Sequence, residues 1–406
     1  MSTRAVLALS GVLVAASTVI GQSGLHAQAA KPTTVASRAI AGNASNASAN
    51  ASARAWRWEL PPGFPTPVVP KDNPMTAEKV ALGRHLFYDT RLSVNGTFSC
   101  ASCHKQALAF TDGLPKAVGA TGEVHPRGSM GLANIAYSPV LTWANPLQKQ
   151  LEAQALVPMF GEDPIELGLS GAEQKLLASL RDVPRYKSLF AAAFPGTTEP
   201  VSLDHIVKAI ASFQRTIMSG RAPYDAYKAG RKNAISASAI RGEELFFGEK
   251  TECFHCHGGF NFTGTATYEG KGFTEIEFHN TGLYNIDGKG AYPPRNTGVH
   301  EVTGNPDDMG KFKAPSLRNI AVTAPYMHDG SIATLEEVIE HYNAGGRTIK
   351  SGPYAGVGSA NPNRSEFLKE MDLTPGEKRD LIAFLRSLTD STFLRDPRYS
   401  NPWRNR

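Results

Sequence analysis

"TFSCASCHKQ" (residues 97–106) and "TECFHCHGGF" (residues 251–260) each place two cysteines three positions apart with a histidine directly behind the second. The four cysteines of these units are the chain's whole complement, so none is left over for a separate disulfide framework. Two cysteines at i and i+3, on a turn entering a helix, face one side and can each form a thioether to a vinyl group of one porphyrin. The adjacent imidazole then reaches the iron. On this reading Cys100, Cys103 and His104 hold one c-type haem, and Cys253, Cys256 and His257 hold a second. A zinc site, a thioredoxin-like redox pair and a disulfide are the competing readings. Zinc wants tetrahedral closure, but 150 residues separate the pairs and each carries its own histidine. A redox pair follows a strand, whereas a loop precedes both units. His255, inside the second pair, reads as a surface filler of the attachment loop.

The flanks repeat as well. "MTAEKVALGRHLFYD" before the first unit has apolar residues at Val80, Leu82, Leu86 and Phe87, an approximate helical stripe with Thr76 as N-cap. "ASAIRGEELFFGEK" precedes the second, and Gly83-x-x-Leu86-Phe87 corresponds to Gly242-x-x-Leu245-Phe246. Each half closes with an amphipathic helix, at 202–220 from Ser202 and at 373–390 from Thr374. The expected architecture is mainly α: two helical modules of one plan, residues 56–225 and 226–395, with a tail at 396–406. Glycines, prolines and asparagines crowd the stretch between Phe260 and Pro315, which predicts long loops and short strands.

The chain has 406 residues and 41 % hydrophobic content, enough for two packed cores. Its start carries one charge at Arg4, a small apolar run from Ala5 to Ile20 and an Ala-x-Ala site at Ala27 to Ala29. This predicts an export signal, residues 1–29, cleaved near Ala29 to give a periplasmic protein. An uncleaved anchor is the competing reading, and nothing later reaches a membrane-spanning length. Residues 30–55, rich in Asn, Ala and Ser, read as a flexible leader. The prolines of "WRWELPPGFPTPVVPKDNP" then hold the chain extended, so that Trp56, Trp58 and Phe64 can lie on a folded surface. Without Arg4, one of 42 basic residues, 41 face 37 acidic ones, with no dense basic run. Nucleic acid is not an expected partner. The four propionates of two haems would roughly cancel the remaining excess.

With "GRHLFYDTRLS" before the first unit and "APSLRNIAVTAPYMHDGSIATLEEVIEHYNAGG" (314–346) after the second, residues 56–395 resemble the bacterial di-haem cytochrome c peroxidase and MauG family. "RLSVNGTFSCASCH", "GEVHPRGSMGLANIAYSPVLTWANPL" and "LVPMFGEDPIELG" are most similar to MauG-like enzymes associated with methanobactin gene clusters. The resemblance implies two cytochrome c-like domains with the haems near their interface. The first domain would carry the peroxide-reacting haem and the second the electron-transfer haem. It carries Glu166 onto the distal acid–base glutamate, with Gln154 and Pro158 lining the same pocket, and Trp143 onto the tryptophan between the haems. Cleaving the O–O bond of hydrogen peroxide needs a group that takes a proton and returns it, which a partly desolvated carboxyl can do.

In the peroxidase branch a loop histidine blocks the first iron at rest. Here Ala120 stands about there, so the resemblance implies an open iron, although His125, five residues on, is placed to swing in. For the sixth ligand of the second haem the candidates are Met327, His328, His341, Tyr342 and Met371. Spacing alone leaves them open. The peroxidases' methionine falls fourteen residues after the histidine of "APY-x-H", a count that lands here on Tyr342, and MauG has a tyrosine there. A hard phenolate favours higher oxidation states where a thioether favours ferrous iron. Family members also hold a calcium ion; Thr323 and Pro325 match its backbone carbonyl positions, but Gly128 stands where the asparagine ligand is expected.

These features imply an exported oxidase that reacts with hydrogen peroxide and oxidises a residue of a partner protein by long-range electron transfer. A conventional peroxidase fed by a small c-type cytochrome and a non-catalytic dihaem electron carrier are the alternatives.

Overall fold

The computed structural model describes residues 56–403; the expected signal and leader lie outside the described residues. The fold is mainly helical, and its regular sheet among the described residues is one antiparallel ribbon, Thr348–Ile349 with Gly356–Val357. No described helix is long and apolar enough to cross a membrane.

Two helix pairs organise two hydrophobic cores. Helix Ala77–Phe87 crosses helix Leu203–Arg215, and helix Ala237–Phe246 crosses helix Pro375–Ser387. All four start where a hydroxyl satisfies an otherwise unpaired backbone N–H: Thr76 accepts from Lys79, Ser202 from His205, Ser236 from Ala239 and Thr374 from Glu377. At both crossings a glycine allows the backbones to touch. A Cβ on Gly83 would collide with the Ala209 carbonyl, and one on Gly242 with the Asp380 carbonyl. Phe213 and Phe384, four residues further along, lie fully buried beside these contacts. The duplication expected from Gly83 and Gly242 is thus a shared packing solution.

Leu82, Leu86, Phe87, Phe110, Ile210 and Phe213 centre the first core; Phe246, Phe262, Leu381, Phe384 and Leu388 centre the second. Chain order is not strictly kept. Ala144 belongs to the second core, while Phe393 and Tyr399 return to the first, where Arg84 donates to the carbonyls of Pro397 and Ser400 and Trp403 Nε1 donates to His85 O. The proline-rich entry also packs down, with Phe64 edge-on to Tyr137 and Phe260.

Three further helices, Leu151–Phe160, Glu173–Arg181 and Pro184–Ala193, complete the first half. The last closing-helix arginine in each half reaches a glutamate in the first turn of another helix. Arg215 forms a buried two-pronged pair with Glu152 at 2.8 and 2.9 Å, and Arg386 an exposed contact with Glu336 at 3.0 Å. Burial opposes ionisation of Glu152, but Arg215 and Asn73 outweigh it and hold its carboxyl below the usual range.

Candidate haem sites

Each attachment unit is a one-turn helix, Cys100–Cys103 and Phe254–His257, that delivers its histidine at or just past its end. His104 Nδ1 lies 2.8 Å from Phe110 O and His257 Nδ1 lies 3.2 Å from Phe262 O. Phe110 and Phe262 both adopt positive φ, which turns these carbonyls toward the rings. Binding Nδ1–H in this way leaves Nε2 as the free donor atom of a neutral imidazole. Burial lowers both pKa values, that of His257 to about 4, and so disfavours a charge on either imidazole. Burial likewise pushes the thiols up, Cys100 and Cys256 to about 12 and Cys103 to about 11.

The second unit opens onto a cavity of about 260 Å³ lined by Cys253, Cys256 and His257 and by Phe246, Tyr342, Met371, Leu381 and Leu385. Two thiols, a neutral imidazole and apolar walls around one void fit a covalently held porphyrin. Four of the five candidate sixth ligands line this void: Met327, His328, Tyr342 and Met371. His341 does not, and both its ring nitrogens are buried without a hydrogen-bond partner. Burial raises the Tyr342 pKa, with Cys256 and Cys253, which line the same cavity, adding to the rise. His328 is stacked flat on Phe312, ring centroids 3.6 Å apart. His255 stacks on Phe367 instead of turning into the cavity.

At the first unit Glu166 acts electrostatically on Cys100, Cys103 and His104. It is half-buried, unlike exposed Glu162, whose carboxylate is taken by Ser170. Gln154 and Pro158 share one face of helix Leu151–Phe160, and Leu167 N bonds to Pro158 O at 2.8 Å, tying the segment after Glu166 to that face. Residues 117–125 form a tight hairpin, Val118 opposite Val124. Ala120 at its tip donates to Glu166 O (2.6 Å) and accepts from Asn95 Nδ2 (2.7 Å), while Glu123 accepts from Ile165 N (3.1 Å). His125 follows the hairpin with its Nε2 3.3 Å from Glu166 Oε1, within ion-pair distance but not aligned as a hydrogen bond. Sequence reasoning named both residues without pairing them, because 41 positions separate them.

Trp143 lines the same cavity as the second unit; its Nε1 donates to Gly128 O at 2.9 Å and its carbonyl accepts from Lys313 N. Lys313 was not singled out by sequence. It is buried in the cavity wall with Val140 O as its acceptor, and burial lowers its pKa to about 8. Thr323 and Pro325 border the same cavity. Among the described residues no three His, Cys, Asp or Glu side chains cluster for a metal ion. Gly128 brings no side-chain oxygen, so a calcium ion there would rest largely on carbonyls.

Residues 77–233 match the family described as di-haem cytochrome c peroxidase. The chain is 38 % identical over 322 residues to the methylamine utilization protein MauG of Methylorubrum extorquens, covering 79 % of this chain and 80 % of that protein. It is also 38 % identical over 375 residues to the cytochrome-c peroxidase IdrP1 of Denitromonas iodatirespirans, covering 86 % and 92 %. Among solved structures, a MauG-like protein associated with microbial copper homeostasis is 52 % identical with a TM-score of 0.85, covering 86 % of this chain and all of that one. The diheme peroxidase BthA of Burkholderia thailandensis, at 20 % identity and a TM-score of 0.61, shares the fold. Paired attachment units, duplicated helix crossings and these likenesses agree: the chain belongs to the di-haem cytochrome c peroxidase and MauG family, a haem oxidoreductase whose family carries two c-type haems.

Proposed function

We propose that this protein is an exported, periplasmic di-haem oxidase that reacts with hydrogen peroxide at the first haem and removes electrons from a residue of a partner protein. The observation that carries this reading is the hairpin 117–125. Its tip is Ala120, pinned to Glu166 O and Asn95, so the segment that would bring a blocking imidazole brings a methyl group instead. The 52 % identity to a MauG-like protein supports the same branch. In this reading residues 56–225 and 226–395 are the two cytochrome c-like modules, supported by the two cores.

When bound, the haems supply the redox centres that take up the oxidising equivalents of peroxide. His104 and His257, held at Nδ1 by Phe110 O and Phe262 O, would bind the haem irons through Nε2. Glu166 accepts a proton from hydrogen peroxide on a carboxylate oxygen and returns it to the departing hydroxyl, leaving as water; Gln154 and Pro158 wall the space in which this happens. Tyr342 would be the sixth ligand of the second haem, and its phenol oxygen would favour retention of oxidising equivalents over acceptance of electrons from a carrier. Trp143 relays electrons between the sites. Thr323 and Pro325 offer carbonyls to a calcium ion.

The test is stopped-flow mixing of the fully ferric protein with one equivalent of hydrogen peroxide, without prior reduction. Rapid spectral change at both haems is expected. Reaction only after one electron has been supplied would overturn the proposal in favour of a conventional cytochrome c peroxidase.

A further inference from the structure

A chain of tyrosines leaves the wall of the cavity at the second attachment unit and ends at the surface. Phe312 and His328 line the cavity, and the Tyr292 ring lies 6.2 and 6.5 Å from theirs. Tyr284 is 5.4 Å beyond Tyr292, and Tyr354 is 5.9 Å beyond Tyr284, edge to face at both steps. Tyr292 and Tyr284 are each 5 % exposed; Tyr354, on the loop of the small ribbon, is 42 % exposed.

Proton chemistry separates the members. A phenol that loses an electron becomes strongly acidic, so oxidation is accessible only where a base takes the proton. Tyr292 donates to the amide oxygen of Asn280 at 2.8 Å, and an amide is no base. Tyr284 donates to Asp329 Oδ2 at 2.6 Å. Asp329 is buried, receives Ser331 N at 3.1 Å, and has no ion pair among the described residues. Other tyrosine–carboxylate pairs differ. Asp89, the acceptor for Tyr186, is neutralised by Arg91, and Glu243, the acceptor for Tyr224, by Lys228.

We propose that Tyr284, with Asp329 as its proton acceptor, is a redox-active station that carries oxidising equivalents from the second haem cavity to Tyr354 on the surface, with Tyr292 as a bridge. The inference rests on the peroxide-driven reading above, which names the oxidant. One electron leaves Tyr284 toward the oxidised haem pair and its phenolic proton moves to Asp329 Oδ2. An electron from Tyr354, which releases its own proton to water, then refills Tyr284, and Asp329 returns the proton. Tyr354 is restored by an electron from the partner residue and a proton from water. The surface around the ribbon is therefore where the oxidised residue of the partner would approach.

The test uses the full holoprotein, ferric at both haems, grown with ring-deuterated tyrosine and freeze-quenched after hydrogen peroxide. Electron paramagnetic resonance is expected to show a radical narrowed by the label, lost in Tyr284→Phe and Asp329→Asn and longer-lived in Tyr354→Phe. Tyr186→Phe, which removes a buried tyrosine–carboxylate bond outside the path, should leave it unchanged. Haem spectra before peroxide report whether each variant folds and loads normally. An unchanged radical in Tyr284→Phe, with normal peroxide oxidation of the haems, overturns the path alone. No reaction of the ferric wild type with peroxide overturns the reading beneath it as well.

Discussion

The two halves solve the same packing problem and then diverge where chemistry begins. Gly83 against Ala209 beside Phe213 matches Gly242 against Asp380 beside Phe384, and two residues beyond each phenylalanine stands an arginine, Arg215 or Arg386. Each arginine meets a glutamate in a helix's first turn, Glu152 or Glu336. Six residues after these glutamates come Pro158 and Tyr342. The register is the same, but one half sets a proline, with no donor atom, at this position and the other a tyrosine that lines one cavity with two cysteines. The repeated plan keeps its crossings and varies the residue at this matched position.

The largest effect is expected at the polar end of that contrast. Glu166→Gln keeps the size and removes the base, and should slow the reaction with peroxide by about 10²–10⁴-fold, the usual worth of a positioned general base. The spectrum of the ferric protein before mixing should not change. A rate within a factor of two of wild type would return Glu166 to the status of Glu162.

Next, the matched arginines should prove unequal. Arg215→Gln leaves the buried Glu152 carboxylate without its two-pronged partner and should cost about 3–5 kcal/mol. Arg386→Gln removes a contact exposed at both ends and should cost about 0–1 kcal/mol. The sign with pH follows from the depressed Glu152 pKa: its stabilisation is present above the ordinary carboxylate range and is lost as pH falls through the lower folded value. The gap between wild type and Arg215→Gln in denaturant melts should therefore close on acidification. Equal costs for the two arginines would mean that the halves are alike in burial as well as in register.

Gly83→Ala and Gly242→Ala should be closer to equal, since each pushes a methyl group into a carbonyl of the crossing helix; about 1–3 kcal/mol each is expected from overpacking, read as thermal midpoints. A large difference would show that one crossing yields more readily than the other.

How far the sequence reveals this depends on local signals. The four crossing helices carry side-chain caps and the two attachment units carry their spacing, so both were readable. Helices Leu151–Phe160, Glu173–Arg181 and Pro184–Ala193 start after Gln150, Ala172 and Val183, none of which makes a side-chain cap bond, and escaped notice. The return of Phe393 and Tyr399 to the first core is equally silent, because a short helical turn and loop have no period to detect. The roles of Glu166 and Tyr342 came from family resemblance; the pairing of His125 with Glu166, and of Tyr284 with Asp329, exists only in three dimensions.

The smallest effect belongs to His125, and it decides whether the first site is open. As a resting ligand it would have to leave Glu166 and draw the hairpin with it, since its N–H is bonded to Ala117 O at 2.8 Å and the hairpin tip is held by Glu166 O and Asn95. As a neighbour of Glu166 it contributes only what a partly exposed, imperfectly aligned ion pair is worth, about 1 kcal/mol or less. His125→Gln should then slow the peroxide reaction by about fivefold at most and leave the ferric electron paramagnetic resonance spectrum intact. Loss of a low-spin signal in that variant would make His125 the blocking ligand that Ala120 is not, and would move the enzyme toward the conventional peroxidases.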